Sequence, residues 1–200
     1  MKALAIGGSQ RENSNTEFYL NVALDVLKEK GIDTELILLR NKIIWPCDAD
    51  YKCWATKSGE CELRGDDFHE IYEKMVEADA IIVGSPVNYS APHPTLWSLL
   101  VRAGFPNMSG FPNYGPGVFS RKVGGPITVA RRAGQNFAFA QLLLWFFIND
   151  FIIPGSIYWN VGVARSIGDA QKDEEGIRII KRFAENIAWL LQKTHNNNIY

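Results

Sequence analysis

The chain has 200 residues, 46% of them hydrophobic and 22% charged, with a formal net charge of −1. This is ordinary globular composition, with enough chain for one well-buried domain spanning residues 1–200. It offers no basic excess for nucleic acid and no single-sign tail. The longest apolar stretch, residues 142–154, is interrupted by Asn149 and Asp150 and falls short of the ~20 residues needed to span a bilayer. The short apolar N-terminus runs into a Gly/Ser loop and does not read as a signal peptide.

A short buried strand is expected at Ala3–Ile6, followed by an amphipathic helix over Asn15–Lys30 that Gly31 stops. A second strand follows at Thr34–Leu39, a helix at Asp67–Glu77 and a third strand at Ala80–Val83. Helices at Thr95–Ala103 and Gln135–Ile148 flank a fourth strand at Val123–Ala130. A fifth strand is expected at Ile157–Val161, and a closing helix at Lys172–Lys193 turns Ile177, Ile180, Phe183, Ile187, Leu190 and Leu191 inward. All-apolar strands alternating with amphipathic helices predict an α/β fold, a five-stranded parallel sheet covered on both faces in the doubly wound order 2-1-3-4-5. Two connections are long: residues 40–66, which hold the cysteines, and residues 105–121, which are aromatic. Loops of that length are usually functional or disordered, and the Trp, Tyr, Phe and Cys content of both argues against disorder.

In such a sheet, ligands sit beyond the carboxyl ends of the strands where the strand order reverses. Three loops are aimed there. GGSQRENSNT, residues 7–16, leaves the first strand and starts the first helix. It lacks the Gly-Lys-Ser/Thr ending of a P-loop and the spaced glycines of a dinucleotide fingerprint. What it offers is neutral donors (Ser9, Ser14, Asn15, Thr16), one cation (Arg11) and a helix N-terminus, which suits an anchoring phosphate monoester. A simple helix cap at Ser14 or Asn15 is the structural alternative. GSPVNYSAPHP, residues 84–94, follows strand three, and its backbone with Asn88 or Tyr89 suits a planar ring. ARRAGQN, residues 130–136, adds a tight turn and two arginines after strand four.

GSQRENSNT, GSPVNYSAPHPTLWSLLVRAG and RRAGQN together resemble the flavin loops of the NADPH-dependent FMN reductase family, within the flavodoxin-like superfamily. The resemblance runs along nearly the whole chain. It implies that Ser9, Arg11, Ser14, Asn15 and Thr16 hold the FMN phosphate. It also implies that Pro86, Val87, Asn88 and Tyr89 border the isoalloxazine and ribityl chain, and that Arg131, Ala133, Gly134 and Gln135 meet the ring's other edge. This chain departs from the family at Asn88, usually aromatic, at Trp97, usually lysine, and at Val101 before Arg102, usually acidic. Such a flavoprotein takes hydride from NAD(P)H and passes electrons to a small-molecule or protein acceptor. The flavin supplies the difficult chemistry, so no catalytic side chain is nominated. An electron-transfer flavoprotein without NAD(P)H activity and a cofactor-free binding module are the alternatives. No Gly-x-Ser-x-Gly elbow supports a hydrolase.

The three cysteines, Cys47, Cys53 and Cys61, all lie in WPCDADYKCWATKSGEC. Three clustered cysteines are not a secreted disulfide framework, and a cytoplasmic protein is expected. The position resembles the iron–sulfur flavoprotein branch of the family, where Cys-x2-Cys-x2-Cys-x4–7-Cys binds a 4Fe–4S cluster. The cysteines match the first, third and fourth ligands, and Asp50 stands at the second. Three readings stay open: a cluster completed by Asp50 or an exogenous ligand, a loop with free thiols, and a zinc site drawing on His69.

Phe105, Phe111, Tyr114 and Phe119 are expected either to wall the flavin face or to pack on a second subunit. Trp145, Phe146, Phe147 and Phe151 are too many apolar rings for one side of a helix, and a homodimer or homotetramer is expected.

Overall fold

The computed structural model describes residues 1–108 and 116–196. Five strands form one sheet, β1 (Lys2–Gly7), β2 (Asp33–Leu38), β3 (Ala80–Pro86), β4 (Val123–Ala130) and β5 (Val161–Val163), in the order 2-1-3-4-5. Every neighbouring pair is parallel. The helices are α1 (Asn15–Glu29), α2 (Lys52–Thr56), α3 (Phe68–Glu77), α4 (Pro94–Gly104), α5 (Gln135–Ile148) and α6 (Glu174–Asn196). The α/β order and the doubly wound sheet expected from the sequence are both present.

Alternation along the strands sorts the core into two layers. Ala3 and Ala5 of β1 face α1 and α6, where Tyr19, Leu20, Leu27, Ile180, Phe183 and Ile187 are buried. Leu4 and Ile6 face α3, α4 and α5, with Phe68, Met75, Leu96, Leu99 and Phe146. Local chemistry fixes the helix ends. Ser14 caps α1 by accepting the Glu17 N–H at 3.1 Å, and Gly31 turns out of it at φ 77°. Pro94 opens α4 behind the His93 cap.

The fifth strand lies later than expected. Ile157, Tyr158 and Trp159 are exposed, and pairing starts at Val161 opposite Thr128. The apolar run that suggested a strand is surface. The true strand, Val-Gly-Val, needs glycine at its centre, because the Tyr19 ring packs where a Cβ on Gly162 would stand, 2.3 Å away.

The aromatic expectations divide. Phe111 and Tyr114 lie outside the described residues. Phe119 does not wall the sheet edge: it is buried in the core, stacked on Phe151 at 5.8 Å between ring centres. Phe105 stacks on Trp54 of the cysteine loop at 5.1 Å. Trp145, Phe146 and Phe151 are buried within the chain's own core, whereas Phe147 is exposed. Among the described residues no helix is long and apolar enough to cross a membrane.

Candidate functional site

The carboxyl ends of the strands open onto a cleft of about 360 Å³. It sits at the switch point, where β2 and β3 leave β1 in opposite directions. Ser9, Arg11, Ser14, Asn15 and Thr16 line it from the first loop, Pro86, Val87 and Asn88 from the second, and Arg131 from the third. Tyr89, Ala133, Gly134 and Gln135 are not among the lining residues. Tyr89 is fully exposed, with a left-handed backbone at φ 51°. Gly134 is the left-handed residue that starts α5. The Oε1 atom of Gln135 is buried with no hydrogen-bond partner among the described residues.

Several lining residues were not read from the sequence: His93, and Ala164, Arg165 and Ile167 of a fourth loop that follows β5. The sheet-edge rule would have found that loop had β5 been set at its true position. With Arg11, Arg131 and Arg165 in the lining and no carboxylate among the described residues there, the charged side chains of the cleft favour an anion.

Not all neutral donors of the first loop are free. Ser14 is both lining and cap, its Oγ taken by Glu17 N–H. Asn15 reaches across to the fourth loop: its Nδ2 donates to the Ser166 carbonyl at 2.8 Å and its Oδ1 accepts from Ala170 N–H at 3.2 Å. The helix geometry leaves the N–H groups of Asn15 and Thr16 without intrahelical acceptors. The loop lies tight on the sheet, Gly8 N–H donating to the Gly84 carbonyl at 2.8 Å. A Cβ on Gly84 would stand 2.9 Å from Thr16 Cγ2, so only glycine lets the helix N-terminus come this close.

His93 also lines the cleft. Its Nδ1 accepts the Thr95 N–H at 3.3 Å, which puts the proton of the neutral ring on Nε2. Burial pushes its basicity below the ordinary histidine range.

The cysteine loop forms a second constellation beside α4. Cys47, Cys53 and Cys61 line one small cavity together with Asp48, Asp50, Glu62 and Arg102. Burial pushes the Cys53 thiol up, and its neighbours Cys61 and Cys47 push the same way. Asp50 bonds Lys52, its Oδ2 lying 2.8 Å from Nζ. Ala49, Tyr51 and Lys57 are held in left-handed conformations at φ 57°, 57° and 51°, a concentration of local strain in non-glycine residues. His69 is used elsewhere: its Nε2 meets the Leu63 carbonyl at 3.0 Å and its Nδ1 lies 3.5 Å from Glu60. Among the described residues no group of three or more His, Cys, Asp or Glu side chains is arranged to hold a metal ion. Neither metal reading finds its donors gathered in this conformation, and the zinc reading also loses His69 to Leu63 and Glu60.

Arg102 escaped sequence reasoning as part of this constellation, because its partners Asp66 and Cys61 are 36 and 41 positions away. Burial pushes the Asp66 carboxyl up, but the Arg102 guanidinium and the Trp45 N–H outweigh it and hold the group below the ordinary aspartate range.

Residues 1–166 match the family described as NADPH-dependent FMN reductase. An iron–sulfur flavoprotein of Methanocaldococcus jannaschii is 33% identical over 195 residues, covering 94% of this chain and 96% of that protein. An iron–sulfur flavoprotein of Methanosarcina thermophila is 30% identical over 211 residues, covering 98% of each chain. Among solved structures, RosB with a bound 8-demethyl-8-formylriboflavin-5′-phosphate intermediate superposes with a TM-score of 0.77 at 19% identity, over 98% of this chain and 81% of that one; at that identity the likeness is one of fold. The chain belongs to the NADPH-dependent FMN reductase family, in the branch of the iron–sulfur flavoproteins.

Proposed function

We propose that this chain is an FMN-dependent oxidoreductase that takes hydride from NAD(P)H and passes electrons to a small-molecule or protein acceptor. One observation carries the reading: the strand-end loops line one cleft whose charged side chains, among the described residues, are three arginines and no carboxylate. The residues suit FMN. A phosphate meets the first turn of α1, where the N–H groups of Asn15 and Thr16 and the positive end of the helix dipole favour an anion. Arg11 adds a charge, and Ser9 and Ser14 add hydroxyls. Pro86, Val87 and Asn88 supply an apolar edge and an amide for the ring, and Arg131 supplies a cation at the opposite edge.

FMN, when bound, supplies hydride and single-electron chemistry. The chain's own part is to anchor the phosphate, orient the ring and keep water from one face. The cysteine loop supports an iron–sulfur group beside it. Three cysteines with Asp50 at the remaining motif position line that cavity and offer donors suited to iron once the loop gathers them, and such a group would supply single-electron transfer. The open volume there is about 10 Å³, room for about one water, so the loop must widen to take a cluster.

Self-association is part of the reading. α5 has no charged residue along its length and exposes Phe137, Leu144, Phe147 and Ile148, a face that suits a second copy of the chain.

The test is an anaerobic absorption spectrum of the chain reconstituted with FMN, iron and sulfide, followed by titration with NADPH and with NADH. The expected result is one flavin per chain, bleached by a nicotinamide. Failure to retain FMN would sink the proposal. The thiol cavity favours a second reading, an electron-transfer flavoprotein. It is supported instead if the flavin stays oxidised under both nicotinamides but is bleached by a reduced protein donor.

A further inference from the structure

The cavity under the cysteine loop has one cationic wall. The Arg102 side chain is fully buried, as is its partner Asp66. Burying a guanidinium is costly unless its donors are satisfied, and here all three nitrogens are engaged. Nε donates to Cys61 Sγ at 3.3 Å. Nη1 donates to the Trp45 carbonyl at 3.2 Å and to the Asp66 carboxylate. Nη2 donates to the Leu63 carbonyl at 2.8 Å and to Asp66 Oδ1 at 3.4 Å. The guanidinium carbon lies 4.1 Å from the centre of the Phe68 ring. Asp66 in turn accepts the Trp45 N–H at 2.8 Å and the Phe68 N–H at 3.3 Å.

Two things set this apart from an ion pair that merely fills the core. Arg102 spends one donor on a sulfur, and that sulfur and Arg102 both line the cavity that Cys47 and Cys53 share. Its remaining donors grip the carbonyls of Trp45 and Leu63, which stand just before Cys47 and just after Cys61. The neck of the loop is thus pinned from α4, while the segment between is held separately, through Trp54 on Phe105 and the Gly59 carbonyl on Tyr72.

We propose that Arg102 is the positioning residue of the cysteine site: its Nε–H orients Cys61 as a ligand, and its charge, opposed by Asp66, sets the reduction potential of a cluster held there. The proposal rests on the iron–sulfur reading above. A hydrogen bond or positive charge at a ligand sulfur stabilises the electron-rich state and raises the potential. The Asp66 carboxylate acts in the opposite direction. Removing one member of the pair therefore moves the potential with a sign that identifies the charge removed, which a loss of packing does not do.

The experiment reconstitutes wild type, Arg102→Gln, Arg102→Lys, Asp66→Asn and the double variant Arg102→Gln/Asp66→Asn with ferrous iron and sulfide under anaerobic conditions. It reads iron per chain, the midpoint potential by EPR-monitored titration, and the rate of iron loss to a chelator. Arg102→Gln is expected to lower the potential and Asp66→Asn to raise it. Arg102→Lys recovers part of the shift, and Arg102→Gln loses iron roughly 10- to 100-fold faster, the usual scale for removing a group that supports a ligand. Shifts of the same sign in the two single variants, or no shift in either, overturn the proposal. Should the single variants not fold, the double variant, which leaves no unpaired buried charge, decides through ligand support, since its two charge effects oppose each other: iron lost to the chelator faster than from wild type supports the role, and unchanged retention removes it. A wild type that takes up no iron removes the iron–sulfur reading and this role together, whereas a loaded wild type with unshifted variants removes this role alone.

Discussion

The Tyr19 hydroxyl donates a 2.5 Å hydrogen bond to Asp173 Oδ2, tying α1 to the turn before α6 across 154 positions of sequence. The same carboxylate accepts the N–H groups of Val163 and Gly176, each at 3.0 Å. The fit depends on two glycines. A Cβ on Gly162 would enter the Tyr19 ring, and one on Gly176 would stand 2.3 Å from Asp173 Oδ2. This junction sets β5 and hence the loop carrying Ala164, Arg165 and Ile167 over the cleft.

Tyr19→Phe removes the donor and leaves a half-buried carboxylate short of one partner. The expected loss is about 1.5–3 kcal/mol in urea unfolding, the usual range for a hydrogen bond to a charged group. Burial pushes the Asp173 carboxyl up, but the bonds from Tyr19, Val163 and Gly176 outweigh it and hold the group below the ordinary aspartate value of 3.8. The native state therefore binds this proton less readily than the unfolded chain. The stabilisation is complete above that ordinary value and is lost as pH falls through the lower folded value. Acid unfolding of Tyr19→Phe should accordingly show a shallower dependence on pH at the acid limb than wild type. Identical limbs would mean that Tyr19 does not hold Asp173 ionised.

Ser14 has two roles that one substitution separates. Aspartate caps a helix as well as serine does, and its charge suits the dipole. Ser14→Asp should therefore melt within about 0.5 kcal/mol of wild type. The new carboxylate would face the bound phosphate, however, and FMN affinity should fall by about 100-fold or more through like-charge repulsion. Ser14→Ala gives the converse, losing about 1 kcal/mol with its cap while FMN binding weakens far less. Fluorescence titration of FMN reads both variants, and a Ser14→Asp chain that binds FMN at wild-type strength would place the phosphate elsewhere.

The approach of α1 to the sheet makes a third case. A methyl group on Gly84 would stand 2.8–2.9 Å from Leu20 and Thr16 side-chain atoms. Gly84→Ala should cost about 1–3 kcal/mol, as overpacking does. Because Thr16 lines the cleft, the displaced helix start should weaken FMN retention as well. A thermal melt with and without FMN checks both: a variant as stable as wild type and as strongly stabilised by FMN would show that the helix yields without moving the site.

The sheet order and the cleft were legible in the sequence because both follow from local patterns. Short apolar strands, helix-period apolar faces and the Gly/Ser/Asn/Thr loop each announce themselves within about ten residues. What escaped depends on distant partners. Ile157–Trp159 looks like a strand by composition, but its side chains are exposed and pairing starts only at Val161, where Gly162 lets the distant Tyr19 ring pack. Arg102 reads as a polar residue near a helix end until Asp66 and Cys61 are set beside it. Phe119 reads as part of a functional aromatic loop, yet Tyr72, Trp145 and Phe151 enclose it. The Asn15 amide also has partners that its sequence position does not announce, donating to Ser166 and accepting from Ala170 across more than 150 positions.

His93 gives a pH dependence near neutrality. Its Nδ1 caps α4 by accepting the Thr95 N–H, and only the neutral ring can do so. Burial already holds its basicity below the ordinary value of 6.5, so the native state resists the proton that the unfolded chain accepts. The contribution is fully present above the unfolded value and is lost as pH falls through the lower folded one. Stability should thus decline as pH is lowered from about 7 into the range below 6.5, with the cap lost in the same interval. His93→Asn keeps a capping acceptor that does not titrate, and should flatten that part of the profile while leaving stability near pH 8 little changed. Urea midpoints across this range, with a proton NMR titration of the His93 ring in wild type, make the measurement. A ring titrating at or above 6.5, or an unchanged profile in His93→Asn, would assign the pH dependence to another group.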